Sequence, residues 1–301
     1  GGPPPPAPDC ARPAPPPTLL TALLDAEADD RALAVIGTHL PDLLQRAPQW
    51  TADHHALLFG LDHPSRPVLT WLTHQNADTA TVLTVVRQLD RAGLAAYLRG
   101  DDPAAQVVRI CAVLLIALPE ELGGHDAFLG LVAVGDGAPR ALSRLLHDVA
   151  WSLPRKASRT NGPLFERGIA IWRAVLALDP CDPASLVGAG QFAFTEALDD
   201  TIWLELTLTT VERTAALSGA DAVARRAARH PDSPTARAVV TRLLPLCDDT
   251  VANDLPPYRR QAIATAGIAL WRSGVPGGVR RTELGDALVQ HAGFLEAAES
   301  A

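Results

Sequence analysis

From Thr18 onward the chain is written mostly as short apolar runs with helical spacing. Apolar residues recur three and four positions apart in 69–73, 81–89, 107–118, 141–153, 169–178, 222–228, 236–246 and 263–271. That spacing places them on one stripe of a helix. Pro, Gly, Asp and Asn fill the breaks, and the connections are shorter than about eight residues, as between antiparallel helix neighbours. The predicted fold class is all-α: stacked antiparallel helices forming an α-solenoid or an irregular helical-repeat array.

The breaks share a phrase. His74-Gln-Asn-Ala-Asp78, Asp179-Pro-Cys-Asp-Pro183 and His230-Pro-Asp-Ser-Pro234 each follow an apolar run and open another. They lie about 51 residues apart, or twice that, which predicts repeated units larger than one helix pair. Four Asp-Asp pairs, at 29–30, 101–102, 199–200 and 248–249, stand before or at such runs. An Asp there accepts from free N–H groups of the first turn and complements the helix dipole. Pro103, Pro183 and Pro234 follow an Asp or Ser by one residue, the place of a first-turn proline. One run is ambiguous: Ile202, Leu204, Leu206 and Leu208 alternate as in a strand. With Asp200 read as its cap and no partner strand in the text, 201–211 is assigned to helix.

Residues 1–17 carry nine prolines and read as an extended linker or tail. Residues 18–301 read as a single helical-repeat domain, with a candidate sub-boundary at 154–163, a basic loop containing Arg155, Lys156 and Arg159. Hydrophobic residues make up 48% of the 301, enough for a sizeable core. The net charge of −8 argues against binding a nucleic-acid backbone and suits a basic partner. The longest apolar run, 107–118, is too short to span a bilayer, and no signal-peptide pattern opens the chain. Cys10, Cys111, Cys181 and Cys247 are far apart in sequence and read as free thiols of a reducing compartment. The expected localisation is cytoplasmic.

The segment from Ala227 to Val240, with its His230-Pro-Asp-Ser-Pro234 turn, resembles bacterial HEAT-like and leucine-rich-variant helical repeats. The likeness extends over parts of 67–89, 163–198 and 220–246. It implies a scaffold that binds another protein on a helix-lined concave face.

Several constellations invite chemistry. Leu145-Leu-His147-Asp148-Val-Ala150 resembles the HD phosphohydrolase motif, in which adjacent His and Asp hold a divalent metal that activates water. That family also needs an upstream His, here His125, and a downstream Asp, here Asp199 or Asp200. The position after the motif holds Ala150-Trp151 rather than the usual glycine or lysine. His54, His55 and His63 form a second histidine-rich patch without an HExxH pattern. Gly188-Ala-Gly190-Gln-Phe-Ala193 matches a dinucleotide fingerprint only formally, because no strand precedes it. Small residues that let two helices approach closely explain it better. The acidic pairs lack the third acid of a terpene synthase motif.

The sequence therefore predicts a non-catalytic helical-repeat module that binds another protein, such as an adaptor, a regulator or a toxin-neutralising immunity-type protein, and needs no cofactor. Tyr97, Trp151, Trp172 and Trp271 are the candidate anchors. The rival is an HD-type metal-dependent phosphohydrolase using His125, His147, Asp148 and Asp200.

Overall fold

A computed structural model describes residues 30–63, 66–74, 78–155, 161–248, 255–273 and 279–292. Among these residues the chain is all-α, with no strand. The proline-rich segment 1–17 and the loop residues Lys156 and Arg159 lie outside them. The chain divides into two compact units, Gly1–Tyr97 and Leu98–Ala301. The candidate sub-boundary at 154–163 falls inside the second.

Among the described residues of the first unit, six short helices precede the division: α1 (Asp30–Thr38), α2 (Leu40–Arg46), α3 (Pro48–Asp53), α4 (His55–Phe59), α5 (Pro67–His74) and α6 (Thr79–Val86). Helix α1 packs on α5, and α2 packs on both α5 and α6. Ile36, Leu40, Leu43, Val68, Trp71 and Val85 are buried there. Helix α7 (Arg91–Arg99) spans the division.

The second unit holds α8 (Ala105–Ala117), α9 (His125–Val132), α10 (Ala138–Ser152), α11 (Gly162–Leu176), α12 (Asp200–Val211), α13 (Ala220–Ala227), α14 (Pro234–Leu243), α15 (Pro257–Ser273) and α16 (Val279–Ala292). Among the described residues, three 3-10 segments, Pro119–Leu122, Pro183–Phe194 and Leu244–Cys247, interrupt them. Two rows of packed elements result. In one row α8 packs on α10, α10 on Pro183–Phe194, that segment on α13, and α13 on α15. In the other row α11 packs on α12, α12 on α14, and α14 on α16. Helix α10 shows why: Ala141, Leu142, Leu145, Leu146, Val149 and Ala150 are buried on one stripe.

The predicted punctuation is present. Asp78 caps α6 by accepting from the Ala80 and Thr81 amides, Ser233 caps α14 through the Ala236 amide, and Asp182 caps Pro183–Phe194 through the Ala184 amide. Residues 201–211 are helical, as assigned. Their cap, however, is Asp199, which accepts from the Thr201 and Ile202 amides; Asp200 is already inside the helix and serves another purpose. Pro103 does not open a helix either. Helix α8 starts at Ala105 behind Ala104, without a side-chain cap, and Asp101 receives Arg140 at 3.1 Å instead.

Pro183, read as the first-turn proline of a helix, instead opens a 12-residue 3-10 run, Pro183–Phe194, long for that geometry. With three residues per turn, Leu186, Ala189 and Phe192 lie one above another, and all three are buried. The two glycines permit its burial. A Cβ on Gly188 would lie 1.9 Å from the Ser143 carbonyl oxygen, and one on Gly190 would lie 2.2 Å from that of Ser218. Close approach, as read from the sequence, is what this pair provides.

Candidate binding face on the second unit

Around this 3-10 segment a polar network fixes the elements. Arg226, on α13, is only 2% exposed. Its Nη1 donates to the Phe192 and Thr195 carbonyls, its Nη2 to the Leu198 carbonyl and Asp200 Oδ1, and its Nε also to Asp200 Oδ1. Every N–H of the guanidinium thus has an acceptor. The group lies over the Trp203 ring, 4.3 Å from its centroid. Burial pulls the Arg226 pKa down and the Asp200 carboxylate pulls it back up. A residue of such high intrinsic pKa stays charged under either influence. His230 Nε2 stands 3.2 Å from the other Asp200 oxygen. These contacts tie α13 to the end of the 3-10 segment and to the start of α12.

Above this frame lies an aromatic surface. Trp151, in the last turn of α10, and Phe194, at the end of the 3-10 segment, are each 49% exposed. Their rings stack with centroids 6.4 Å apart. The indole Nε1 donates to Gln191 Oε1 at 3.0 Å, and Gln191 Nε2 donates in turn to the Ser218 carbonyl and hydroxyl. The indole is therefore held in place while half its surface faces solvent. Arg155 stands over the same ring at 5.6 Å. The two rings, with Arg225 and Arg226 of α13 and Arg229 in the turn just after it, line a cleft of about 300 Å³. Arg225 also borders a second cleft of about 430 Å³, which runs between α13 and α15 past Tyr258. Tyr258 is 65% exposed.

Of the four aromatic anchors read from the sequence, Trp151 is on this face. Trp172 is not: it is buried, stacks on Phe192 at 4.5 Å and donates to Thr210 Oγ1. Burial of this kind makes it a core residue rather than an anchor. Trp271 and Tyr97 are half-buried. Phe194 and Tyr258 were not singled out, because nothing in a single aromatic's neighbourhood in sequence marks it as exposed.

The HD set does not assemble. His125 opens α9 and stands 3.2 Å from Asp126. His147 stacks on Trp151, and Asp200 is committed to Arg226 and His230. Asp148 is half-buried, and burial raises its pKa against the opposing charges of His147 and Arg109. Among the described residues no three His, Cys, Asp or Glu side chains are grouped to hold a metal. The other histidine patch is likewise dispersed. His54 Nδ1 is 2.8 Å from the Trp50 carbonyl oxygen, and His55 Nε2 is 3.0 Å from that of Gln88.

Cys111, Cys181 and Cys247 are free thiols; Cys10 lies outside the described residues. Burial pushes the Cys111 thiol up to about 12 and that of Cys247 to about 11. Both stay protonated at neutral pH, which is the opposite of an activated nucleophile. No described helix is long and apolar enough to cross a membrane. No protein-family model, curated protein or solved structure matches the chain.

Proposed function

We propose that the chain is a non-catalytic helical-repeat module that binds another protein, acting as an adaptor, a regulator or an immunity-type protein. The observation that carries this reading is the Trp151–Phe194 pair, two large rings left half in solvent on an otherwise fixed frame. Aromatics with low conformational freedom and an apolar face are the usual centres of protein interfaces. The two-row packing of the second unit supports the helical-repeat reading, since such stacks present one row of elements to a partner. The free cysteines suit a cytoplasmic setting, and the acidic balance of the whole chain disfavours nucleic acid.

A photo-crosslinking residue placed at position 194 tests this. In a lysate of the source cell it should yield a discrete protein adduct. The same probe at exposed Val134 should not, and neither should the position-194 probe in a W151A background. Equal adducts from both positions, or none from 194, would remove the face from consideration.

A further inference from the structure

We infer that this face takes an acidic segment of its protein partner, one carrying carboxylates on either side of an apolar or aromatic side chain. The inference rests on the proposed binding face and adds the partner's chemistry to it.

The local charge is opposite to that of the whole. The chain carries −8, yet the two clefts are bordered by arginine. Arg155 is exposed and has no carboxylate partner among the described residues; its guanidinium has only the Trp151 ring beneath it. Arg229 pairs with Glu196 at 3.0 Å, but both side chains are more than half exposed, and such a pair adds little to stability. It is easily exchanged for a carboxylate arriving from outside. Arg225 and Arg259 both lean on a single carboxylate, that of Asp221, at 2.7 and 3.9 Å. Asp221 is 10% exposed while Arg225 is 54% exposed, so the anion faces inward and the cation outward. Arg226 needs nothing further, since its donors are all engaged. The face therefore offers outward guanidinium groups, from Arg155, Arg225 and Arg229, beside two half-exposed rings.

A basic partner, suggested by the overall charge, would meet like charge here at a cost of several-fold in affinity or more. An acidic segment would meet forked donors suited to carboxylates, and an apolar side chain between its acids would fill the 300 Å³ cleft. Because Arg225 borders both clefts, the segment can continue along α15 to Tyr258.

The test is fluorescence anisotropy on the full chain with labelled peptides of matched length: Glu-rich with interspersed Phe, the same with Gln for Glu, and the same with Lys for Glu. The Glu peptide should bind about tenfold or more tightly than the Gln peptide at low salt. Its advantage should shrink as salt rises. R155E with R229E should abolish the advantage and favour the Lys peptide. Equal binding of the Glu and Gln peptides, with both lost in W151A, would overturn the charge assignment while leaving the aromatic face. Binding indifferent to charge and to W151A would overturn both. A Glu peptide that does not bind, or a single-stranded oligonucleotide that binds more tightly, would overturn the inference.

Discussion

Arg226 concentrates more interactions than any other charged side chain of the second unit described above, and its loss has a calculable shape. R226A removes a donor from each of the Phe192, Thr195 and Leu198 carbonyls, leaves Asp200 with His230 alone, and uncovers Trp203. The expected cost is about 3 kcal/mol or more. D200N keeps the carbonyl contacts and loses only the charge, so about 1–2 kcal/mol is expected. R226K is not a rescue, since one ammonium cannot reach the same acceptors or stack on the ring. Denaturant unfolding of the three variants should give this order; a mild R226A would mean that the network is incidental. Asp148 gives a pH-dependent case. Burial raises its folded pKa above the ordinary 3.8. Below that value both folded and unfolded states hold the proton and nothing is lost. As pH rises past it the unfolded chain ionises first, so this residue's contribution to stability falls until the folded group ionises too. D148N should therefore match the native chain in stability under acid conditions and exceed it at neutral pH, as read from unfolding midpoints across that range. Neither residue was legible beforehand in these terms. Arg226 sits among other arginines with no local mark of burial, and Asp148 was noticed for its histidine neighbour rather than for its environment.

At the level of elements, the glycines of the 3-10 segment give the sharper test. G188A drives a Cβ into the Ser143 carbonyl and the His147 amide of α10. Both are backbone atoms that cannot swing away, so a loss of about 3 kcal/mol or more is expected. Gly130, mid-helix in α9, has nothing within 4 Å of its would-be Cβ, and G130A should stabilise by about 0.5–1 kcal/mol. S233A removes a cap from α14 and should cost about 1 kcal/mol. Thermal unfolding of all three separates a contact constraint from simple helix propensity. Equal effects at 188 and 130 would contradict the packing described. The caps were legible because capping chemistry is local: an Asp or Ser with Pro next to it says the same thing in any fold. The helix at 201–211 was legible for the same reason, although its cap was placed one residue too late. The 3-10 geometry of Pro183–Phe194 was not legible, because tight packing against α10 and Ser218 selects it, and both lie far away in sequence. The Trp151–Phe194 pair shares that limit. Trp151 could be picked as an aromatic, but its stacking partner and the Gln191 bracket come from another element.

For the whole molecule, the question is whether the two compact units also behave as two in solution. Each buries its own apolar set: Ile36, Leu40 and Trp71 in the first, Leu145, Trp172 and Val240 in the second. Destabilising one core should then leave the other intact. G188A places its damage wholly between α10 and the 3-10 segment, inside the second unit. Native-state hydrogen exchange on this variant should show weakened protection for amides of α10, α12 and α13, while those of α1, α2 and α5 keep their native rates. Calorimetry should show one component moving to lower temperature and another staying in place. If protection falls by the same factor throughout, the chain unfolds as a single cooperative body, and the division at Tyr97 describes geometry without energetic meaning. The outcome also bears on the binding face. Its rings, its arginines and the buried network beneath them all belong to the second unit, so with two cooperative bodies ligand should protect α10 and α13 strongly and α1 hardly at all. Uniform protection on binding would instead make the first unit part of what the partner stabilises.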